Sequence, residues 1–83
     1  METMHKIARE HGWAVSDISN SYGDVRYRRG EHRLLIELDE RQNVSRFEHR
    51  VGGRIAETKV DRDPGKRVRI VELLIEHGEE VKA

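Results

Sequence analysis

The feature that most restricts the fold of this chain is an alternation of apolar and polar residues with a period of two, which runs from Trp13 to Val60. The segment is enriched in Val, Ile, Tyr, Phe and Thr, and Gly, Asn or Asp stands at the breaks in the alternation. This pattern is typical of half-buried strands joined by tight turns. It predicts an antiparallel β-meander of four or five strands within residues 13–60.

Two turns predict how these strands pair. Gly30-Glu31 has glycine in the leading position, as a type II′ hairpin turn prefers, and Gly52-Gly53 provides the second turn. The second turn places Glu48 opposite Glu57. With a connection over residues 40–43, the turns predict one set of inward-facing side chains, namely Val25, Tyr27, Leu34, Ile36, Leu38, Phe47, Ala56, Thr58 and Val60.

The start of the chain is predicted to be a helix followed by the first strand. Over residues 2–11 the sequence has the i, i+3, i+4, i+7 spacing of a helix with one buried stripe, and Gly12 follows it. The stripe consists of Met4, Ile7, Ala8 and His11. Two facings of the first strand, within residues 13–19, fit the alternation equally well. Its inward residues are either Trp13 and Val15, or the set of Ala14, Ser16 and Ile18.

A second helix is predicted over residues 64–77. Asp63 is its expected N-cap, Pro64 its first helical residue and Gly78 the left-handed residue after the last turn. Its inward face is predicted to consist of Val68, Val71, Leu74 and Ile75, flanked by Ile70. The order of elements predicts an α+β fold in which both helices pack on one face of the sheet.

Composition limits what such a chain can do. At 83 residues, a domain buries only about 60% of the surface of its unfolded chain, which predicts one domain over residues 1–83 without a deep enzymatic cleft. Sixteen Lys and Arg balance sixteen Asp and Glu, so nucleic acid would have to be attracted by local clusters. Because the sequence shows no cysteine, no signal peptide and no long apolar run, we expect a cytoplasmic protein that does not enter a membrane.

One cluster of charge lies on the outward face of the predicted sheet. Arg28, Arg33 and Arg50 are placed side by side on three strands, and like charges directly opposite each other destabilise a sheet. An anionic partner would relieve this repulsion, because guanidinium groups bind carboxylates and phosphates through parallel hydrogen bonds. Together with neighbouring apolar residues, they predict a partner-binding surface made of Arg28, Arg33, Leu35, Arg50, Arg54 and Ile55.

From this surface we expect a small non-enzymatic binding module that acts by protein–protein interaction or forms a homodimer. The alternative is nucleic-acid binding through Arg28, Arg33, Arg50, Lys66, Arg67 and Arg69. Sheets that bind single-stranded nucleic acid expose aromatic rings for base stacking, whereas Tyr27 and Phe47 are predicted to point inward. This difference favours the protein partner.

The sequence shows no motif for catalysis, and we predict no cofactor. Its five histidines, His5, His11, His32, His49 and His77, do not follow the spacing of a metal-ligand motif, so we expect no metal site. His49 is predicted on the inward face, where burial favours its neutral form. "PGKR" at residues 64–67 lacks the leading glycine and the Ser or Thr of a phosphate loop.

Two resemblances add to these expectations. "HGW" after the first helix, "RYRRG", an alternating strand, a glycine turn and "GKRVRIVELLIEHG" together resemble small accessory proteins of actinobacterial phages. That resemblance implies a protein made in the host cytoplasm that binds a host or phage macromolecule. More faintly, the order helix, strands, helix, with "GEH" before a strand and "GKR" opening the last helix, resembles double-stranded-RNA-binding domains, which implies an RNA partner.

Overall fold

A computed structural model of the protein describes residues 2–18, 24–41, 43–60 and 62–79, so the predictions for Ser19, Gln42 and the chain ends lie outside the described residues. Helix α1 spans Glu2–Glu10, and helix α2 spans Lys66–Glu76. Five strands lie between them: β1 (Ala14–Ile18), β2 (Asp24–Arg29), β3 (His32–Leu38), β4 (Val44–Val51) and β5 (Arg54–Lys59). They form one antiparallel sheet in sequential order. The predicted α+β fold, with helices against a β-meander, is confirmed.

The core lies between the two helices and one face of the sheet, which we call the covered face. Its buried apolar side chains are Met4, Ala8, Trp13, Val25, Tyr27, Leu34, Ile36, Leu38, Val44, Phe47, Ile70, Leu73 and Leu74. Six of the nine side chains predicted to point inward belong to this set. The predicted pairing of β2, β3 and β4 is confirmed for Arg28 with Arg33 and for Arg33 with Arg50.

Of the two orientations predicted for the first strand, the structure has the one in which Trp13 and Val15 point inward. Trp13 is buried and Val15 packs against the core, whereas Ala14 and Ser16 are exposed. The indole Nε1 of Trp13 donates a hydrogen bond of 3.0 Å to the carbonyl oxygen of Leu74 in α2. A buried indole N–H needs such a partner, and this bond ties β1 to the second helix.

The predicted register of β5 is wrong beyond Ile55. Arg50 pairs with Ile55 as expected, but an irregularity follows, so that His49 faces Glu57 and Glu48 faces Thr58. Ala56, Thr58 and Val60 are exposed rather than inward. In the predicted register Glu48 and Glu57 would stand directly opposite each other, which is unfavourable for two carboxylates. The extra residue moves Glu57 to the covered face, because side chains alternate with a period of two.

Helix α2 begins and faces differently from the prediction. Gly65, with a φ of 70°, precedes its first residue, and none of the described side chains caps the helix. Asp63 instead accepts a hydrogen bond of 2.9 Å from the backbone N–H of Val60, within a turn before the helix. The inward residues are Ile70, Leu73 and Leu74, while Val68 and Ile75 are exposed. Apolar residues cover more than one side of this helix, so their spacing alone did not identify the buried side.

The end of α2 is held against the end of α1. Gly78 does not adopt the predicted left-handed conformation. Its Cα lies so close to the Leu74 carbonyl oxygen and His11 that a Cβ atom would be 2.6 Å from the Cβ of His11. The backbone N–H of Glu79 also donates a hydrogen bond of 2.8 Å to the carbonyl of His11. Glycine is required here by close approach rather than by backbone conformation.

Candidate functional site

The arginine row on the face of the sheet away from the helices, the open face, is assembled by hairpin pairing. Arg28 in β2, Arg33 in β3 and Arg50 in β4 are directly paired neighbours, and Arg26 lies two residues before Arg28 on the same side of β2. The covered-face positions of these strands carry the core, so the alternation directs the arginines outward. Four cations therefore occupy adjoining positions on three strands.

The arginines of the open face differ in how they are paired. Arg50 Nε donates a hydrogen bond of 3.0 Å to Glu48 Oε2. Arg46 lies 3.7 Å from carboxylate oxygens of both Glu37 and Glu48. In contrast, the exposed residues Arg26, Arg28 and Arg33 have no ion pair with any part of the chain that the structure describes. Three charges of the row are thus available to a partner.

These arginines surround a concave basin with a volume of about 350 Å³. Its lining residues are Ala14, Ser16, Arg26, Tyr27, Arg28, Arg33, Leu35 and Arg50. The short side chains of Ala14 and Ser16 in β1 leave space for the basin. Leu35 is partly exposed between the arginines. Because Trp13, Tyr27 and Phe47 are buried, no aromatic ring is exposed on this face within the described ranges.

Five of the six residues predicted to bind a partner share the open face. Arg28, Arg33, Leu35 and Arg50 line the basin, and Ile55, which is 55% exposed, pairs with Arg50 at the neighbouring position of β5. Arg54 does not belong to this surface. It pairs with Val51, which in turn pairs with His32, so Arg54 lies on the covered-face side at the end of the sheet.

The residues of the predicted nucleic-acid surface are not brought together. Lys66, Arg67 and Arg69 lie on α2, on the side of the sheet opposite the arginine row. Lys66 Nζ donates hydrogen bonds of 3.3 and 2.8 Å to the carbonyl oxygens of Val60 and Asp63. A single flat ligand therefore does not reach both groups of cations.

Arg69 is paired with three glutamates. Its guanidinium donates three hydrogen bonds of 2.7 to 3.0 Å to the carboxylate of Glu57. Glu72 and Glu76 lie 3.6 and 3.8 Å from the same guanidinium. The hydrogen bond from Arg69 holds the pKa of Glu57 below its ordinary value of 4.5, against the opposing effect of burial. The change of register in β5 makes this pairing possible.

A second cluster, which sequence spacing did not indicate, consists of His32, His49 and His77, and we call it the histidine cluster. One ring nitrogen from each lies within 4.8 Å of the other two. His32 Nδ1 and His49 Nε2 are 3.0 Å apart and share a hydrogen bond. The ring centroids of His32 and His77 are 4.5 Å apart, and those of His49 and His77 are 5.1 Å apart.

Three elements position the histidine cluster. His32 is the first residue of β3, and His49 lies two residues before Val51, the strand partner of His32, so both side chains project from the covered face. His77 follows the last residue of α2, and its backbone N–H bonds to the Leu73 carbonyl. Arg29 Nη1 donates a hydrogen bond of 3.2 Å to the carbonyl oxygen of His77. The ring of Trp13 meets His32 edge to face, 6.2 Å between centroids.

Burial and neighbouring charges favour the neutral form of two members of the cluster, His32 and His49. The pKa of His49 is lowered from 6.5 chiefly by burial and then by the charges of His77 and His32. The pKa of His32 is also lowered from 6.5, by burial and by His77 and Arg29. Adding a second proton to such closely spaced rings places like charges together in a poorly solvated site. The predicted burial of His49 is confirmed, and this burial is the main cause of its lowered pKa.

Three of the five histidines, which follow no metal-ligand spacing in the sequence, are brought together by the fold. His32 and His49 are 17 residues apart in the chain, and no local motif connects them with His77. The predicted pairing of β3 and β4 already placed His49 on the diagonal from His32, and this was the signal available in the sequence. The position of His77 depends on how α2 packs, which the sequence does not specify.

No protein-family model, no curated protein and no solved structure matches this chain. Within the described residues, neither helix is long and apolar enough to cross a membrane.

Proposed function

We propose that this protein is a non-enzymatic binding module that holds an acidic segment of a partner protein on the open face of its sheet. The observation that carries this proposal is the set of exposed arginines, Arg26, Arg28 and Arg33, which have no ion pair within the described residues and surround one basin. Arg50, the fourth member of the row, is paired with Glu48, and Arg46 elsewhere on the same face is paired with Glu37 and Glu48. Three of the four charges of the row are thus uncompensated on an otherwise balanced surface.

Carboxylate groups fit this surface in charge and in shape. Each guanidinium presents a planar fork of donors that matches a carboxylate, and such charge-assisted bonds are stronger than neutral ones. Arg33 has an arginine on each side, so a carboxylate bound between them interacts with more than one cation. Leu35 in the basin and the exposed Ile55 offer apolar contacts beside the charges.

Two observations favour a protein partner over nucleic acid. The open face exposes no aromatic ring among the described residues, and single-stranded nucleic acids are usually bound by stacking on such rings. Glu37 and Glu48 lie on the same face close to the row, where they would repel a long run of phosphates. A short acidic peptide can place its carboxylates at the row without crossing these glutamates.

The resemblance to accessory proteins of actinobacterial phages supports a partner of host or phage origin. A second copy of this chain is a competing protein partner. Self-association through the open face would appear in sedimentation as a concentration-dependent dimer that Leu35→Lys dissociates. That result would replace the acidic segment by a homodimer as the proposed use of this face.

Binding of defined anions tests the proposal. Fluorescence anisotropy would compare a labelled peptide of alternating Glu and Leu with labelled single-stranded and double-stranded DNA of matched charge. We expect the peptide to bind, and the double substitution of Arg28 and Arg33 by Gln to weaken binding by about a hundredfold or more, because each of the two lost charge-assisted bonds contributes about 1.5–3 kcal/mol.

Two arginines provide matched controls for the loss of charge. Arg46→Gln removes a paired cation from the same face, and Arg9→Gln removes an exposed cation from α1. Neither change should weaken peptide binding as much as the change at the row. Equal binding by the double variant would refute the proposal. DNA binding that is tighter than peptide binding and falls steeply with salt would establish the nucleic-acid alternative instead.

A further inference from the structure

The histidine cluster brings three nitrogen ligands together at the end of the core. His49 is buried at 3% exposure, and His32 and His77 are partly exposed, so the cluster is open to solvent on one side. The ring nitrogens lie within 4.8 Å of one another. Apart from the bond between His32 and His49 and the proximity of Glu76 to His77, the described residues supply these rings with no further hydrogen-bond or ion-pair partner.

We propose that His32, His49 and His77 form a binding site for a divalent transition-metal ion such as Zn²⁺. Three imidazoles are the ligand set of open zinc sites, which keep a fourth position for water or another ligand. Imidazole nitrogens suit zinc, copper and nickel, whereas calcium and magnesium prefer oxygen ligands. The site lies on the opposite side of the sheet from the arginine row, so the proposed peptide binding does not require a metal ion.

The nitrogen atoms lie near the separations that a tetrahedral ion requires. Zinc–nitrogen distances of about 2.0–2.1 Å separate neighbouring ligand nitrogens by about 3.3 Å. His32 Nδ1 and His49 Nε2 are 3.0 Å apart and no separation exceeds 4.8 Å, so the nitrogens must move by at most about 1.5 Å. The ion replaces the hydrogen bond between His32 and His49, because both nitrogens must then present a lone pair.

The orientation of the rings must change when a metal binds. His32 and His49 are inclined by only 12°, and His32 and His77 by 21°. Since a metal must lie near the plane of each ligating ring, at least two of these stacked rings have to turn about their side-chain bonds. His32 and His77 are the partly exposed members and have room to turn, while the buried His49 keeps its position.

The surroundings favour a cation in spite of nearby arginines. The charge of Arg69 is offset by Glu57, and Arg29 lies 3.8 Å from a carboxylate oxygen of Glu79. The carboxylate of Glu76 lies 3.8 Å from His77 Nε2 and adds negative charge beside the cluster.

Zinc titration of the full chain without a histidine tag tests this site. We expect isothermal calorimetry with zinc chloride to show one ion per chain, and zinc to raise the unfolding temperature. Co²⁺ would be a second probe, because coordination by three imidazoles changes its visible absorption. The only tryptophan, Trp13, is adjacent to His32, so we also expect Cu²⁺ to quench its fluorescence.

Substitution of the two partly exposed histidines tests whether their side chains coordinate the ion. His32→Asn and His77→Asn should each weaken zinc binding by about tenfold or more while the circular dichroism spectrum is kept, because each removes one of three ligands. His5→Asn is the matched control, since His5 bonds to Tyr27 and lies outside the cluster. The inference is overturned if zinc does not bind, or if His32→Asn and His77→Asn both bind it as tightly as the wild type. Equal weakening by His5→Asn would overturn it as well.

Discussion

Repulsion within the arginine row makes a specific prediction about stability. Arg33 is directly paired with Arg28 on one side and with Arg50 on the other. Each like-charge pair costs roughly 0.2–1 kcal/mol on a sheet, in line with about 0.6 kcal/mol for unit charges ~7 Å apart in water. Arg33→Gln should therefore stabilise the fold by about 1 kcal/mol, and Arg33→Glu by about 2 kcal/mol, because attraction then replaces repulsion.

Urea denaturation and thermal unfolding measure this series. For a chain of this size, about 1 kcal/mol corresponds to a rise of roughly 4–8 °C in Tm. The gain should shrink in about 1 M salt, where the screening length falls to about 3 Å. Arg46→Gln is the control on the same face and should be destabilising, because it removes ion pairs with Glu37 and Glu48.

The result that refutes this reasoning is a loss of stability in Arg33→Gln equal to that in Arg46→Gln, or a gain that salt does not change. The comparison between Gln and Glu at residue 33 is the cleaner one, since both residues have similar, low strand propensity. If the Arg33 variants are more stable and also bind the acidic peptide more weakly, the arginine row lowers the stability of the fold in exchange for binding.

Two further predictions concern the contacts of α2. Gly78→Ala should destabilise the fold by about 1–3 kcal/mol, because the new methyl group collides with the Leu74 carbonyl and His11; equal unfolding midpoints for variant and wild type would contradict this. The native pKa of Glu57 is lowered by Arg69, so the carboxylate stabilises the fold above pH 4.5 and this stability is lost as the pH falls through the native pKa. Arg69→Gln should therefore lose less stability on acidification than the wild type, measured by urea midpoints, whereas Arg41→Gln should behave like the wild type.

The pairing of β2, β3 and β4 could be predicted because it depends on local signals. Gly30 fixes the first hairpin, and the alternation of Tyr27, Leu34 and Ile36 with arginines and glutamates fixes which face is buried. A shift by one residue would expose all three apolar side chains. The same alternation predicted that five residues would share the open face, namely Arg28, Arg33, Leu35, Arg50 and Ile55.

The pairing of β5 and the facing of α2 could not be predicted in this way. One extra residue, Ala56, reverses the alternation in β5 and turns Glu57 toward α2. There Glu57 forms an ion pair with Arg69, a residue that lies later in the chain. In α2, two overlapping apolar stripes were available, and the side that is buried carries Ile70, Leu73 and Leu74. Both choices depend on contacts between distant parts of the chain.

The sequence by itself determined the order of elements, the first hairpin and the side-by-side placement of Arg28, Arg33 and Arg50. These follow from period-two alternation and from a glycine turn, which act over a few residues. Only the tertiary structure brought His77 to His32 and His49, and Glu57 to Arg69. These contacts depend on the rotation of α2 on the sheet and on one irregularity in β5. Both features are determined by the packing of the whole core.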